Sequence, residues 1–129
     1  MILLDTDVMI DLLRAYPPAE EWFEVLDDYE ILALPGFVMM ELIQGCKNKA
    51  EQDRLKRDLG DYEVIWLSSE DCNIALDFFI KYHLSHNAGL TDVLVGQTAV
   101  AFGVPLYTFN RKHYQFIPDL EIVQPYIRI

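Results

Sequence analysis

The first ten residues constrain the fold of this chain more than any other stretch. The apolar run 1–4 is followed at once by Asp5, Thr6 and Asp7, after which apolar residues resume. The run predicts a buried strand, and in an open parallel sheet the carboxyl ends of the strands form the edge where ligands bind. Asp5 would then lie at that edge. The alternative is that Asp5 or Thr6 only caps the helix that begins near Asp7.

Length and composition limit the classes of protein that remain. The 129 residues predict one domain, 1–129, with room for one active site. The hydrophobic content of 52% indicates a folded protein with a large apolar core. No apolar stretch approaches the roughly 18 residues that a membrane span needs, and no basic residue precedes the N-terminal apolar run. We therefore expect a cytoplasmic protein that has no membrane association.

The net charge of −11 argues against general binding of nucleic acid. Most non-specific affinity for nucleic acid comes from basic groups that neutralise phosphates. If the substrate is a nucleic acid, local basic groups and metal ions must attract it. The same acidity suits a protein that holds divalent cations or binds a basic partner.

Apolar periodicity predicts alternating strands and helices. After the first strand, strands are predicted at 31–34, 64–67, 106–109 and 120–123. Helices are predicted at 8–14, 19–27, 37–46, 47–59, about 69–86 and 91–102, with Ser68 or Ser69 and Thr91 as caps. A short polar turn is predicted at 110–113. This alternation indicates α/β architecture, a mostly parallel sheet with helices on both faces.

Two further acids occur in apolar surroundings. Glu41 lies within the apolar segment 37–43, and Asp92 follows Thr91 just before another apolar run. A buried, unpaired carboxylate costs several kcal/mol unless it gains a partner, a metal ion or a shifted pKa. The alternatives are an exposed rim position for Glu41 and a helix-capping role for Asp92.

Four short motifs, in order along the chain, resemble those of PIN-domain proteins of the VapC toxin type. They are Asp5-Thr6 with Ile10, Glu41-Leu42, Gly89-Leu90-Thr91-Asp92 with Ala99, and Thr108-Phe109-Asn110-Arg111-Lys112-His113-Tyr114 followed by Ile117-Pro118. The resemblance implies a three-layer α/β/α sandwich whose clustered acids bind Mg²⁺ or Mn²⁺ and cut RNA. It also implies the toxin of a toxin-antitoxin pair, which forms a homodimer and is inhibited by a cognate antitoxin protein.

The residue types suit this chemistry. Metal-assisted hydrolysis of a phosphodiester needs a nucleophilic water, charge neutralisation and help for the leaving oxygen, and Mg²⁺ prefers oxygen ligands. We expect Asp5 and Asp92 to be the principal metal ligands, and Glu41 to coordinate the metal or act as the base. The expected supporting residues are Thr6, Asp7, Thr108 and Asn110, and the expected RNA phosphate contacts are Arg111 and Lys112.

The chain departs from the resemblance at two places. Asp7 stands where the family commonly has serine or asparagine, which adds an acid to the first motif. In the last motif, many PIN domains carry a fourth acid, whereas this chain has Asn110, with His113 nearby. The sequence leaves open which of these two residues fills the fourth position.

Two other functions remain as alternatives. The segment Asp5-Thr6-Asp7 after a strand also resembles haloacid-dehalogenase-type phosphatases, in which the first aspartate is a nucleophile. That family needs a late pair of acids that this chain lacks. The second alternative is a catalytically degenerate PIN domain that only binds RNA or a protein partner, which Asn110 and the acidic charge favour.

Overall fold

A parallel sheet forms the centre of the molecule. The computed structural model describes residues 1–129. The strands are β1 (Ile2–Leu4), β2 (Leu32–Pro35), β3 (Glu63–Ile65), β4 (Leu106–Tyr107) and β5 (Ile122–Val123). They form one five-stranded sheet in the order β3-β2-β1-β4-β5, and every neighbouring pair is parallel. The prediction of a mostly parallel sheet is confirmed, and β5 is parallel as well.

Helices connect the strands and cover the sheet. They are α1 (Thr6–Leu13), α2 (Pro17–Glu24), α3 (Gly36–Gln44), α4 (Lys49–Asp58), α5 (Ser69–Tyr82), α6 (Leu90–Phe102) and α7 (Arg111–Tyr114). The arrangement is the expected three-layer α/β/α sandwich. None of these helices combines the length and the apolar character needed to span a membrane.

The central strand β1 is fully covered. Ile2 is 4% exposed, and Leu3 and Leu4 are completely buried between the helical layers. A strand covered on both faces is apolar throughout rather than alternating, which is the pattern that made β1 recognisable. Burying each leucine contributes roughly 1.5–3 kcal/mol relative to leaving it exposed. The apolar run therefore fixes β1 in the middle of the sheet.

Two local predictions are wrong. The predicted turn at 110–113 is replaced by the single helical turn α7, which is anchored by the buried side chain of Tyr114. Thr91 does not cap α6, because the helix begins earlier, with Gly89 at the N-cap and no side-chain cap. The predicted cap of α5 is confirmed, since the Ser68 hydroxyl accepts a hydrogen bond from the Asp71 N–H.

Candidate active site

The carboxyl ends of β1 and β4 build the floor of the site. These strands are adjacent, so Asp5 and Thr108, which follow them, lie side by side. The Thr108 hydroxyl donates to Asp5 Oδ2 at 2.8 Å. Asp5 Oδ1 accepts the Thr6 N–H at 2.8 Å and so caps α1. Asp5 therefore has both positions that the sequence suggested, at the ligand edge of the sheet and at a helix N-terminus.

Asp5 is held in a nearly closed environment. Its side chain is 3% exposed, and Oδ2 accepts a second hydroxyl, that of Tyr114, at 2.8 Å. Burial and the neighbouring charge of Asp7 raise the pKa of the Asp5 carboxyl to about 6, against the lowering effect of its hydrogen bonds. All three donors to Asp5 are neutral groups. The ionised carboxylate is therefore oriented without being neutralised.

Asp7 joins the start of α1 to the segment after β4. Its Oδ2 accepts the Phe109 N–H at 2.9 Å and lies 3.4 Å from the Thr108 hydroxyl, while Oδ1 accepts the Val8 N–H at 2.8 Å. Burial raises the pKa of the Asp7 carboxyl, although these hydrogen bonds and Arg128 act in the opposite direction. This second acid of the first motif thus stabilises the loop that carries Thr108.

Glu41 and Asp92 approach from α3 and α6. Glu41 Oε1 accepts the Thr6 hydroxyl at 3.0 Å, and Asp92 Oδ2 lies 3.3 Å from Nδ1 of His113. Burial raises the pKa of both carboxyls, and the charge of Asp92 raises that of Glu41 further. A Cβ added at Gly89 would lie 2.9 Å from Asp92 Oδ2, so the glycine leaves room for this carboxylate.

A cleft of about 430 Å³ collects most of the predicted site residues. Its walls are Thr6, Asp7, Ile10, Glu41, Gly89, Leu90, Thr91, Asp92, Asn110 and His113. The nearly buried Asp5 does not line it, whereas Asp7 does. Asn110 and His113 both line the cleft, so both remain candidates for the fourth position. Arg111 and Lys112 are exposed on α7 and do not line the cleft.

The oxygen-rich donor set fits a hard divalent cation. Carboxylates and an amide are the ligands that Mg²⁺ and Mn²⁺ take in proteins. Every one of the four carboxyls has its pKa raised first of all by burial, so a bound cation would relieve an existing electrostatic penalty. In the present side-chain conformations, no three acidic, histidine or cysteine side chains converge closely enough to hold a metal ion. A cation held by three of these side chains would therefore need them to lie closer together than they do here.

Two residues near the site were missed by sequence reasoning. Tyr114 was only part of the last motif, although its hydroxyl contacts Asp5. Arg128 had no sequence signal at all. Its Nε lies 3.0 Å from Asp11 Oδ2, and its guanidinium carbon lies 4.0 Å from the centre of the Phe109 ring. The C-terminal segment thus secures the Phe109 loop that holds Asp7.

The fold is a parallel α/β sandwich, and its acids lie at the carboxyl edge of the sheet. Comparison with known proteins identifies the family that has this combination. The PIN domain family model matches residues 2–116. The chain belongs to the PIN-domain family. The haloacid-dehalogenase alternative is therefore set aside.

Within this family the chain is similar to two ribonucleases and to a chain of a toxin-antitoxin complex. It is 32% identical over 122 residues to Ribonuclease VapC10 of Mycobacterium tuberculosis, covering 94% of this chain and 91% of that protein. It is 31% identical over 126 residues to Ribonuclease VapC19 of the same organism, covering 94% and 98%. Among solved structures, a toxin-antitoxin complex from Klebsiella pneumoniae contains a chain with a TM-score of 0.76 and 25% identity, covering 98% of each chain.

Thr108→Val is expected to destabilise the protein by about 2 kcal/mol at pH 7, because a buried hydrogen bond to a charged group is lost. Thr108 is 1% exposed, and its oxygen also accepts the Asn110 N–H at 3.0 Å. Urea unfolding in the presence of a chelator measures the change. Thr108→Ser keeps the hydroxyl and is expected to retain most of the stability. Equal losses in both variants would mean that packing of the threonine methyl group, not the hydrogen bond, is responsible.

Proposed function

We propose that this chain, acting as one domain over residues 1–129, is a Mg²⁺- or Mn²⁺-dependent endoribonuclease and the toxin of a toxin-antitoxin pair. One observation carries the proposal: Asp5 and Asp7 at the start of α1, Glu41 on α3 and Asp92 on α6 come together at a single cleft and its floor. The names of the similar proteins, ribonucleases VapC10 and VapC19, support RNA as the substrate. The expected location is the cytoplasm, where cellular RNA is found.

The proposed role of each residue in catalysis follows from its position in the site. Asp5 and Asp92 would hold the metal ion, which when bound neutralises phosphate charge and lowers the pKa of bound water. Glu41, whose pKa is raised by burial and which Thr6 orients at 3.0 Å, takes a proton from the attacking water as general base. Asn110 lines the cleft, and its side-chain amide N–H donates a hydrogen bond to the phosphate or to water.

RNA must reach a site that is surrounded by negative charge. The net charge of −11 makes long-range attraction unfavourable, so local cations have to position the backbone. Arg111 and Lys112 are exposed on α7, between the cleft residues Asn110 and His113. We propose that these two side chains contact phosphates that flank the scissile bond.

The proposed partners are a second copy of the chain and an antitoxin protein. A groove of about 520 Å³ between α1, α3 and α4 contains the apolar residues Ile10, Leu13, Leu42 and Leu55. The groove shares Thr6, Ile10 and Glu41 with the cleft. A polypeptide lying in this groove would therefore cover the base Glu41 and block access of RNA. The similar chain from Klebsiella pneumoniae was solved as a toxin-antitoxin complex, which supports such a partner.

Mg²⁺ or Mn²⁺ is expected to raise the Tm of the wild-type protein. At a tenfold excess of metal over its Kd, mass action adds about 1.4 kcal/mol, which is several degrees for a domain of this size. Asp5→Asn is expected to abolish most of this shift, because one of the proposed ligands loses its charge. Differential scanning calorimetry with chelator or with metal measures it. An unchanged shift in the variant would refute the assignment of Asp5.

The proposed activity is tested by incubating purified, antitoxin-free protein with a panel of cellular RNAs and with Mg²⁺, Mn²⁺ or a chelator. We expect discrete fragments that appear only with metal. Intact RNA in the presence of folded, metal-binding protein would instead favour the catalytically degenerate binding module, and would direct attention to Asn110 in place of a fourth acid. Cleavage that persists in chelator would contradict metal dependence while leaving ribonuclease activity standing.

A further inference from the structure

The Tyr114 hydroxyl lies among the acids of the site. Tyr114 is 1% exposed, and its hydroxyl donates to Asp5 Oδ2 at 2.8 Å. Burial and the charges of Asp5 and Asp92 raise the pKa of this phenol far above its ordinary value, so it remains a protonated donor. The pKa of the Asp92 carboxyl, raised by burial, is lowered by His113 and by the same Tyr114 hydroxyl. The one proton of this hydroxyl is donated to Asp5, so Asp5 is the carboxylate that Tyr114 orients directly.

The fold holds this hydroxyl in place through the ring that carries it. Tyr114 ends α7, and its ring packs against α6 at Gly96. A Cβ added at Gly96 would lie 3.4 Å from Tyr114 Cδ1 and would also collide with the end of the Ile117 side chain. Tyr114 and Ile117 belong to the main hydrophobic core. The ring is therefore fixed by packing, and the hydroxyl has little freedom to move away from Asp5.

The chemistry of the donor suits a cation site. Asp5 receives hydrogen bonds from the Thr6 N–H, the Thr108 hydroxyl and the Tyr114 hydroxyl, and none of these groups carries a charge. A lysine or arginine at position 114 would neutralise Asp5 and repel a divalent ion. A phenol orients the carboxylate and adds no positive charge beside the cation. A phenylalanine ring would fill the same space without this effect.

We propose that Tyr114 is a positioning residue of the metal site, whose hydroxyl fixes the orientation of the Asp5 carboxylate for a divalent cation. The proposal rests on the proposed metal-dependent function and assigns to Tyr114 the orientation of one metal ligand. Tyr114 does not touch the substrate, and it acts only through Asp5. Groups that orient metal ligands in this way typically affect metal affinity by about 10- to 100-fold.

The test measures Mn²⁺ binding to metal-free protein by the electron paramagnetic resonance signal of free Mn²⁺. Tyr114→Phe is expected to weaken binding by about tenfold or more. In the Asp5→Asn background, the same change is expected to have little further effect, because Tyr114 acts through Asp5. The matched control is Tyr62→Phe. Tyr62 directly precedes β3 and so lies at the amino edge of the parallel sheet, whereas the site lies at the carboxyl edge. Loss of the Tyr62 hydroxyl is therefore expected to leave Mn²⁺ affinity unchanged.

Melting in chelator separates positioning from a purely structural role. A Tyr114→Phe protein that melts earlier but binds Mn²⁺ as the wild type does would overturn the proposal and leave the proposed function intact. A wild-type protein that does not bind Mn²⁺ would overturn both. Protein with 4-aminophenylalanine at position 114 keeps a neutral donor and is expected to bind Mn²⁺ within a few-fold of wild type. If Tyr114→Phe does not fold, this variant decides the question, and binding weakened tenfold in its folded form would overturn the proposal.

Discussion

Asp92→Asn and Asp5→Asn are each expected to lower the rate of metal-dependent RNA cleavage by about a hundredfold or more. Each change removes one negative charge from the proposed metal site while keeping the size of the side chain. Loss even of a group that only supports a metal ligand typically costs 10- to 100-fold, so loss of a ligand charge is expected to cost at least as much. Cleavage is measured in single-turnover reactions with saturating Mg²⁺ on the RNA that the panel identifies.

An exposed acid provides the control for charge alone. Asp77 lies on α5, is exposed and does not line the cleft, so Asp77→Asn removes the same charge from the acidic surface at a distance from the site. We expect it to cleave as the wild type does. Wild-type rates for Asp92→Asn would exclude Asp92 from the site. Full activity in Asp5→Asn, together with loss in Asp7→Asn, would transfer the ligand role to Asp7, the acid that lines the cleft.

The residues that could be predicted from the sequence are those with a local signal. A continuous apolar run indicates a strand covered on both faces, and β1 is such a strand. An acid directly after it must lie at the carboxyl edge of the sheet, which located Asp5. Glu41 was recognised because a carboxylate among apolar neighbours needs compensation, and in the structure it accepts the Thr6 hydroxyl. These inferences depend only on neighbours along the chain.

The contacts that could not be predicted join distant segments. The Tyr114 hydroxyl meets Asp5 across 109 positions of sequence, and a tyrosine in a core pattern gives no sign of what its hydroxyl will contact. Arg128 reaches Asp11 across 117 positions. The sequence predicts a polar turn where α7 forms, because one helical turn is too short to show periodicity. In each case tertiary packing, not local propensity, determines the structure.

Metal-free wild-type protein is expected to lose stability as the pH rises from about 4 to above 6. Burial, with the charge of Asp7, raises the pKa of Asp5 from 3.8 to about 6 in the folded state. The folded protein therefore binds a proton that the unfolded chain has already released within this pH range. This stabilisation is complete when the pH lies below the pKa of Asp5 in the unfolded chain. It is lost as the pH rises through the pKa of Asp5 in the folded protein. Such a difference in pKa corresponds to roughly 3 kcal/mol over the whole range.

Urea unfolding in chelator between pH 4 and pH 8 measures this dependence, and Asp5→Asn isolates it. The variant has no carboxyl to titrate at position 5, so we expect a flatter profile and a higher free energy of unfolding than wild type at pH 8. The pH dependence that remains is expected to come from Asp7, Glu41 and Asp92, whose pKa values burial also raises. Asp77→Asn again controls for the general repulsion of an acidic protein and is expected to keep the wild-type profile. Parallel profiles for wild type and Asp5→Asn would contradict the raised pKa. If the profiles separate as expected, the variant that has lost cleavage is also the more stable protein. Asp5 would then be a residue whose buried charge is retained for function at the expense of stability.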